Sequence, residues 1–513
     1  MNDILFMAVD LGTSFIKAGI YNDTGVCLAG SSEPVIDCRP MPGVYLQNGV
    51  DIYNAVLRCI KKCTDRAGSC VKNVSAMVFT GQMAGFMGVD REWNDITTWS
   101  CSLDTRYAKY AQRQMKAYGS KFLHISGTNA PLMCSKYEWF NAEYPEKAKH
   151  IRKYLLISGY VIGKLGELSI EDAVIDSSFI AWTGLADIRK REWSDELCGL
   201  IGIEKSLLPN IVHADTACGN LSKKNAGLLG LRSGIPLIAG AGDKVTGCIG
   251  SGISRYGDMI FEAASYGGFS CKVEHVRTDE EKHCFDVISG ADSETFLAHK
   301  YIPGSGITLD WFTEQFMWEG SADRNKARKI LEEKSAKITP GSEGVFAVGL
   351  LGGSAMPFDD SLRGLFMGYT WSHRKEHFYR SLLECYAYDL SVTISQIEKL
   401  YPEYCMDSVK LIGGGADSNI WPQILADVTG KKFEILDRTD TALWGACLLA
   451  GKGIGYFKDI EERAVQSVSV RSTVVPDQEN YVEYQKYIEF YEKLTAETGI
   501  YFRELRSIAN QGQ

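Results

Sequence analysis

Several features that would settle a function at once are missing from this chain. It has no G-x-x-x-x-G-K-[ST] and no G-x-G-x-x-G, so neither a P-loop nor a dinucleotide-binding Rossmann turn is supported. Its 15 cysteines include no C-x-x-C pair, which argues against a zinc site and suits buried or incidental thiols in a reducing cytoplasm. His373 and His377 stand at i, i+4, but Arg374 occupies the place where a zinc protease needs its glutamate, and a polar helix start is the better reading. No apolar run reaches the roughly 18 residues of a membrane span, and the long uncharged stretch 344–358 is glycine-rich and reads as buried strand and loop. The start, MNDILFMAVDLG, lacks the basic and apolar regions of a secretory signal. There is no long basic run either. With 55 Lys+Arg against 64 Asp+Glu and a net charge of −9, nonspecific attraction to nucleic acid or acidic membranes is not expected, and a small soluble substrate is.

What is present is length and apolar content: 513 residues, 45% hydrophobic, more than one core usually organises, which predicts two domains. An apolar run at 4–9 leads into a turn at Asp10-Leu11-Gly12-Thr13, and 14–21 reads as a second strand. Ile52, Tyr53, Val56, Leu57 and Ile60 recur at helical spacing, and 74–79 reads as a strand ending at Thr80-Gly81-Gln82. The second half repeats this style. A hairpin is expected at 259–274, centred on Tyr266-Gly267-Gly268, with a long helix over 373–400, a strand at 409–412 entering Gly413-Gly414-Gly415, and a helix at 419–429. The spacing predicts two similar α/β domains, with a boundary where Gly247, Gly250, Gly252 and Gly257 crowd residues 245–258. Tyr484, Tyr487, Ile488, Tyr491 and Leu494 form a helical apolar stripe suited to docking.

Asp10-Leu11-Gly12-Thr13-Ser14 in a hairpin turn offers N–H groups and hydroxyls to an oxyanion and a carboxylate to a cation, as phosphate and magnesium require; Lys17 adds a point charge. A plain turn uses the same residue types. Gly240-Ala241-Gly242-Asp243 follows the apolar strand at 235–239, and an aspartate there can accept a proton from an attacking hydroxyl or make an Asx turn. Gly267-Gly268, Gly304-Ser305-Gly306 and Gly413-Gly414-Gly415 are further glycine elements, the last one preceding a helix N-terminus that suits an anion or nucleotide.

From Val9 to about Phe457 the sequence resembles the FGGY carbohydrate kinases, within the actin/Hsp70/sugar-kinase superfamily. Asp10-Leu11-Gly12-Thr13-Ser14 resembles the superfamily's phosphate turn, Thr80-Gly81-Gln82-Met83 the sugar-binding G-Q-M element, and Trp99 with Asp104-Thr105-Arg106 the W…D-x-R segment. Lys136 with Trp139 fits K-x-x-W, Asp176 with Thr183-Gly184-Leu185 and Asp187 a further stretch, and Gly242-Asp243 the G-D of the catalytic base. In the second half, Gly306 with Trp311, residues 363–368 with His377 and Leu383-Glu384, and 413–419 with Trp421, Gln423 and Ala426-Asp427 continue the resemblance. Three departures stand out: Ala84 where xylulokinases have histidine, Gly267-Gly268-Phe269 in place of G-T-S or G-T-A, and a longer gap between Trp99 and Asp104.

The resemblance implies two actin-like, ribonuclease H-like α/β domains around a catalytic cleft: 1–250 for sugar, 251–470 for ATP, and a helical extension at 471–513. It implies a cytoplasmic enzyme using ATP and Mg²⁺ to phosphorylate a small sugar, a ketose such as xylulose before L-fuculose, gluconate, glycerol or another polyol. Asp243 is then the base, and Asp10 holds magnesium directly or through water. Gly12, Thr13, Ser14, Lys17, Gly267, Gly268 and Gly306 bind phosphates; Gly414, Gly415, Asn419 and Gln423 bind the adenosine side. Gln82, Met83, Asp104 and Arg106 are the substrate candidates, with a structural Asp104–Arg106 ion pair as the alternative. A sugar sensor with weak kinase activity and an Hsp70-like ATPase stay open as other readings, as does the oligomeric state, a homodimer included.

Overall fold

The computed structural model describes residues 4–41, 43–317, 324–356, 358–359 and 361–510. Two mixed sheets dominate it. The first has six strands, numbered here along the chain: β1 Leu5–Leu11, β2 Phe15–Asn22, β3 Cys27–Pro34, β4 Val74–Gly81, β5 Ala217–Asn220 and β6 Pro236–Gly242, in the spatial order β5-β6-β4-β1-β2-β3. The second has seven: β7 Met259–Glu262, β8 Gly267–Val273, β9 Asp286–Ser289, β10 Phe296–Ile302, β11 Ser408–Ile412, β12 Lys432–Leu436 and β13 Val470–Val474, ordered β9-β10-β8-β7-β11-β12-β13.

The two sheets share one plan. In each, the first strand makes an antiparallel hairpin with the second (β1–β2, β7–β8) and lies parallel to a later strand (β4, β11), which is followed by another parallel strand (β6, β12). Strands buried on both faces read as continuous apolar runs, which is why β1 and β4 carry almost no polar residue before their carboxyl ends.

Helix α1 Gly49–Ala67 buries Ile52, Ala55, Val56, Cys59, Ile60 and Cys63, a 3.6-period stripe, on the first sheet. Helix α2 Asp243–Gly250 follows β6, α3 Ser305–Phe316 follows β10, and α4 Lys375–Leu400 runs under the second sheet. Arg374 and His377 cap the start of α4 reciprocally through their backbone and side-chain groups. Helices α5 Trp421–Thr429, α6 Thr441–Gly453 and α7 Gln478–Asn510 complete the frame. On α7, Tyr484, Ile488 and Tyr491 are buried, and the Tyr484 hydroxyl, 2.8 Å from Glu384 and 2.9 Å from Arg380, joins a buried network on α4.

The structure differs from the sequence reading in how the halves meet. Residues 243–250, which overlap the boundary segment expected at 245–258, are helical, and Gly250 serves a helix crossing. A Cβ on Gly250 would stand 1.9 Å from the Thr441 carbonyl oxygen, and one on Gly445 1.9 Å from that of Thr246, so α2 and α6 touch backbone to backbone. Helix α6, from the far end of the chain, packs Trp444, Ala446, Cys447, Leu448 and Ala450 against Phe6, Ala8, Ala76, Val78 and Ile238 of the first sheet. A cut at residue 250 therefore separates that sheet from one of its own covering helices. The extension expected from residue 471 begins inside β13, an edge strand of the second sheet.

Candidate active site

Parallel α/β sheets bind ligands outside the carboxyl ends of their strands, and there the first sheet gathers its polar residues. The register puts Asp10 beside Thr80, Leu11 beside Gly81, and Gly242 beside Gly81 on the other flank, so the ends of β1, β4 and β6 are level. Asp10 ends the apolar run of β1, and Asp243 opens α2 one residue after β6. Gly81 sits at φ +147°, where only glycine is at ease, and a Cβ there would collide with Leu11. Gly242 lets Met83 lie against it, since a Cβ would come 2.4 Å from the Met83 sulfur. The Thr13 hydroxyl lies 3.3 Å from Gln82 Oε1, and Gln47 Nε2 donates to the Thr13 carbonyl at 2.8 Å, which ties the phosphate turn to the G-Q-M segment. Thr80 and Thr246 join hydroxyls at 2.7 Å and bind α2 to the end of β4.

The second sheet closes the cleft with Glu262 at the end of β7 and the hairpin turn before Gly267 and Gly268. Lys244, next to Asp243, makes an ion pair with Glu262. Burial, and next the Asp243 carboxylate, push the Asp10 carboxyl up to about 7; Glu262 adds to the push, and Lys17 and Lys244 oppose it. Burial also raises Asp243, helped by Glu262 and resisted by Lys244. Burial works against the Lys244 ammonium, but Glu262 and Asp243 hold it charged to higher pH than usual. Tyr301, opposite Gly268 on β10, lies within electrostatic reach of Lys244 and Asp243 and stacks on Tyr266, ring centres 6.4 Å apart.

Behind the cleft, Ser178 Oγ accepts from the Gly242 N–H at 2.9 Å and donates to Asp176. Asp176 is buried, its Oδ2 has no hydrogen-bond partner among the described residues, and burial pushes its carboxyl up to about 7.

The four substrate candidates divide between two places. Gln82 lies beside the Thr13 hydroxyl and Met83 against Gly242, at the carboxyl ends of β1 and β6. Asp104 is fully buried, takes both Arg106 nitrogens at 2.8 and 2.7 Å and the Ser100 hydroxyl at 2.6 Å, and so forms the structural ion pair that the sequence left as an alternative. Burial opposes its charge, yet Arg106, Lys136 and Ser100 hold Asp104 below its ordinary value. Arg106 stacks over Trp139 at 4.5 Å and borders a separate cavity of about 330 Å³ with Phe86, Tyr144 and Lys147.

Three expected nucleotide contacts are engaged elsewhere. The Gly306 N–H donates to the Ala264 carbonyl at 3.0 Å, and a Cβ there would strike that oxygen at 2.6 Å, so Gly306 braces the hairpin instead of offering its amide to phosphate. Gln423 Nε2 donates to Asp427 at 2.7 Å and to the Val475 carbonyl at 3.0 Å. Gly415 is packed under Trp421 with its N–H on Ala263, whereas Gly414 and Asn419 stay exposed beside the hairpin.

Lys244, Glu262 and Tyr301 did not emerge from the sequence as site residues. A signal for Glu262 was there: Met259-Ile260-Phe261-Glu262 repeats the pattern of β1, an apolar strand ending in a carboxylate.

Comparison with known proteins agrees with this fold. Residues 5–250 match the N-terminal domain of the FGGY family of carbohydrate kinases, and residues 275–454 match its C-terminal domain. The xylulose kinase of Bacillus subtilis (strain 168) is 25% identical, with 96% of this chain and 97% of that protein covered. The gluconokinase of Bacillus licheniformis is 24% identical over 95% of both chains. The crystal structure of gluconate kinase from Lactobacillus acidophilus superposes with a TM-score of 0.89 at 20% identity, covering 98% of this chain and all of the other, a likeness of fold. The chain belongs to the FGGY family of carbohydrate kinases.

Proposed function

We propose that this FGGY carbohydrate kinase transfers the terminal phosphate of ATP to a hydroxyl of a small sugar, a ketose such as xylulose being the first choice. The observation that carries the reading is the meeting of Asp10 and Asp243 at level strand ends, facing a second glycine-bearing hairpin across a cleft. Phosphoryl transfer asks for positioning and charge neutralisation more than covalent chemistry. Asp243 takes the proton of the attacking hydroxyl, and its raised affinity for protons makes it the stronger base. Gly12, Thr13, Ser14 and Lys17 on one side and Gly267 and Gly268 on the other bind phosphates, Gly414 and Asn419 border the adenosine, and Gln82 and Met83 face the sugar. The first half thus serves the sugar and the second the nucleotide, in a cytoplasmic enzyme.

Magnesium fits the donor set. Asp10, Asp243 and Glu262 oppose Lys17 and Lys244, leaving one surplus negative charge that a divalent cation relieves. Among the described residues no three His, Cys, Asp or Glu side chains form a metal cage, which suits an ion held by one or two carboxylates and the substrate phosphates. Asp10 would hold it, and the ion would neutralise charge on the transferring phosphate.

Xylulose kinase and gluconokinase relatives support a ketose or an aldonate, and Ala84 after Gln82-Met83 leaves room for a sugar other than xylulose. A coupled ADP assay across ketopentoses, ketohexoses, aldonates and polyols tests the reading. We expect the highest kcat/KM with a ketose; preference for glycerol over every ketose would contradict it. The altered hairpin Gly267-Gly268-Phe269 favours one second reading, a sensor, under which sugar binds and no ADP forms.

A further inference from the structure

We propose that Lys244 contacts the terminal phosphate of the donor nucleotide, taking the role left vacant by the absent hydroxyl at Gly268. The inference rests on the kinase reading above. Lys244 is the second residue of α2, directly after Asp243, and its side chain keeps 16% exposure. Its ammonium sits on Glu262, which lies opposite Gly268 in the β7–β8 register.

The stem of Lys244 crosses the face of Gly268. A Cβ on that glycine would lie 3.5 Å from both Cδ and Cε of Lys244, so the stem that ends one bond of about 1.5 Å further on in the ammonium runs alongside the place a larger side chain at 268 would take. The backbone of Gly268 is not in a conformation reserved for glycine. The small residue therefore makes room for the lysine and answers no strain in the turn.

Each hairpin then has one lysine beside its carboxylate: Lys17 is in register with Asp10, and Lys244 of α2 is paired with Glu262. An ammonium has three donors, so it can keep Glu262 while donating to a phosphate oxygen. In the transfer, the sugar oxygen bonds to the terminal phosphorus as that phosphorus parts from the oxygen bridging it to the diphosphate. The electron pair leaves with ADP, and the hydroxyl proton passes to Asp243. Lys244 changes no bonds and neutralises charge on the phosphate in flight.

Calorimetry with AMP-PNP, ADP and AMP on the parent protein, Lys244→Gln, and Lys244→Gln with Glu262→Gln provides the test, with Lys244→Arg as a charge-retaining control and melting temperatures as the check on folding. Loss of a charge-assisted bond weakens AMP-PNP binding roughly 10–100-fold in Lys244→Gln and leaves AMP unchanged, while Lys244→Arg keeps at least part of the affinity. If Lys244 only neutralised Glu262, the double variant would regain parental affinity; a phosphate contact leaves it at least ten-fold weak. Restored affinity in the double variant, or an unchanged single variant in a parent that turns over sugar, overturns the inference. A parent that binds no ATP analogue and releases no ADP overturns the kinase reading itself.

Discussion

The hairpin after β1 and the hairpin after β7 occupy equivalent places in two sheets of one plan, yet they are built differently. The first carries its own chemistry: Asp10, Gly12, Thr13, Ser14 and, across the ladder, Lys17. The second carries Glu262, then Ser265 in the turn between β7 and β8 and the two glycines Gly267 and Gly268, and borrows its cation from α2 of the other half. The difference teaches that a repeated architecture need not repeat its charges. What matters is the sum across the cleft, where the carboxylates outnumber the ammonium groups by one.

Removing the acid of the first hairpin should matter most. Asp10→Asn takes away the proposed magnesium ligand, worth several kcal/mol of charge stabilisation, so kcat should fall by about 10³-fold and the magnesium dependence should weaken. Ser265→Ala, in the second hairpin, should cost ten-fold at most, the value of one neutral hydrogen bond of about 0.5–1.5 kcal/mol. Equal losses in steady-state assays would break the comparison.

Buried acids sharpen the contrast between the halves. Asp286, in the second sheet, accepts from Thr128, Asn129 and Trp182, while Asp176, behind the first, leaves Oδ2 unpartnered. Because its folded-state value is raised from 3.8 to about 7, Asp176 contributes stability that is full below about pH 4 and lost as pH rises through about 7, up to roughly 4 kcal/mol. Asp176→Asn mimics the protonated acid. Its melting temperature relative to the parent should therefore climb between pH 5 and 8; a flat difference would place the titration elsewhere.

Glycine substitutions should separate the hairpins by a smaller margin. A Cβ at Gly12 would stand 2.7 Å from the Phe15 carbonyl oxygen, and at Gly268 nothing comes closer than His299 Cε1 at 3.3 Å. Gly12→Ala should cost about 1–3 kcal/mol in urea unfolding and Gly268→Ala at most about 1 kcal/mol. Gly268→Thr should keep ATP affinity within about ten-fold, one hydrogen bond's worth either way; abolished turnover in a folded variant would contradict the alignment of this hairpin. Least of all, Gln423→Ala should leave ATP binding within about two-fold and lower stability by about 1 kcal/mol, because its amide is tied to Asp427 and Val475.

Much of this was legible in the sequence, for physical reasons. Apolar runs ending in Asp10 and at Gly242-Asp243 marked strand ends; Ile52 to Ile60 and Tyr484 to Leu494 marked helical faces. Motif order placed the cleft residues along the chain. Motifs say where a residue stands and leave its partners open, which is why Gly306 and Gln423 read as ligand contacts although neighbours 42 and 52 residues away in sequence occupy their amides. The α2–α6 crossing was hidden because Gly250 and Gly445 lie 195 residues apart, and a glycine cluster looks the same in a linker and at a helix contact. Lys244 went unread because its meaning comes from Glu262 and Gly268 in the other half.

The central claim, that Asp243 is the base of a sugar kinase, is tested most directly by measuring sugar binding and ADP release on one preparation of Asp243→Asn. General-base catalysis contributes roughly 10²–10⁴-fold, so turnover should fall by that order while sugar and ATP affinities stay within a few-fold of the parent. Turnover within a few-fold of the parent, with binding intact, would contradict the account.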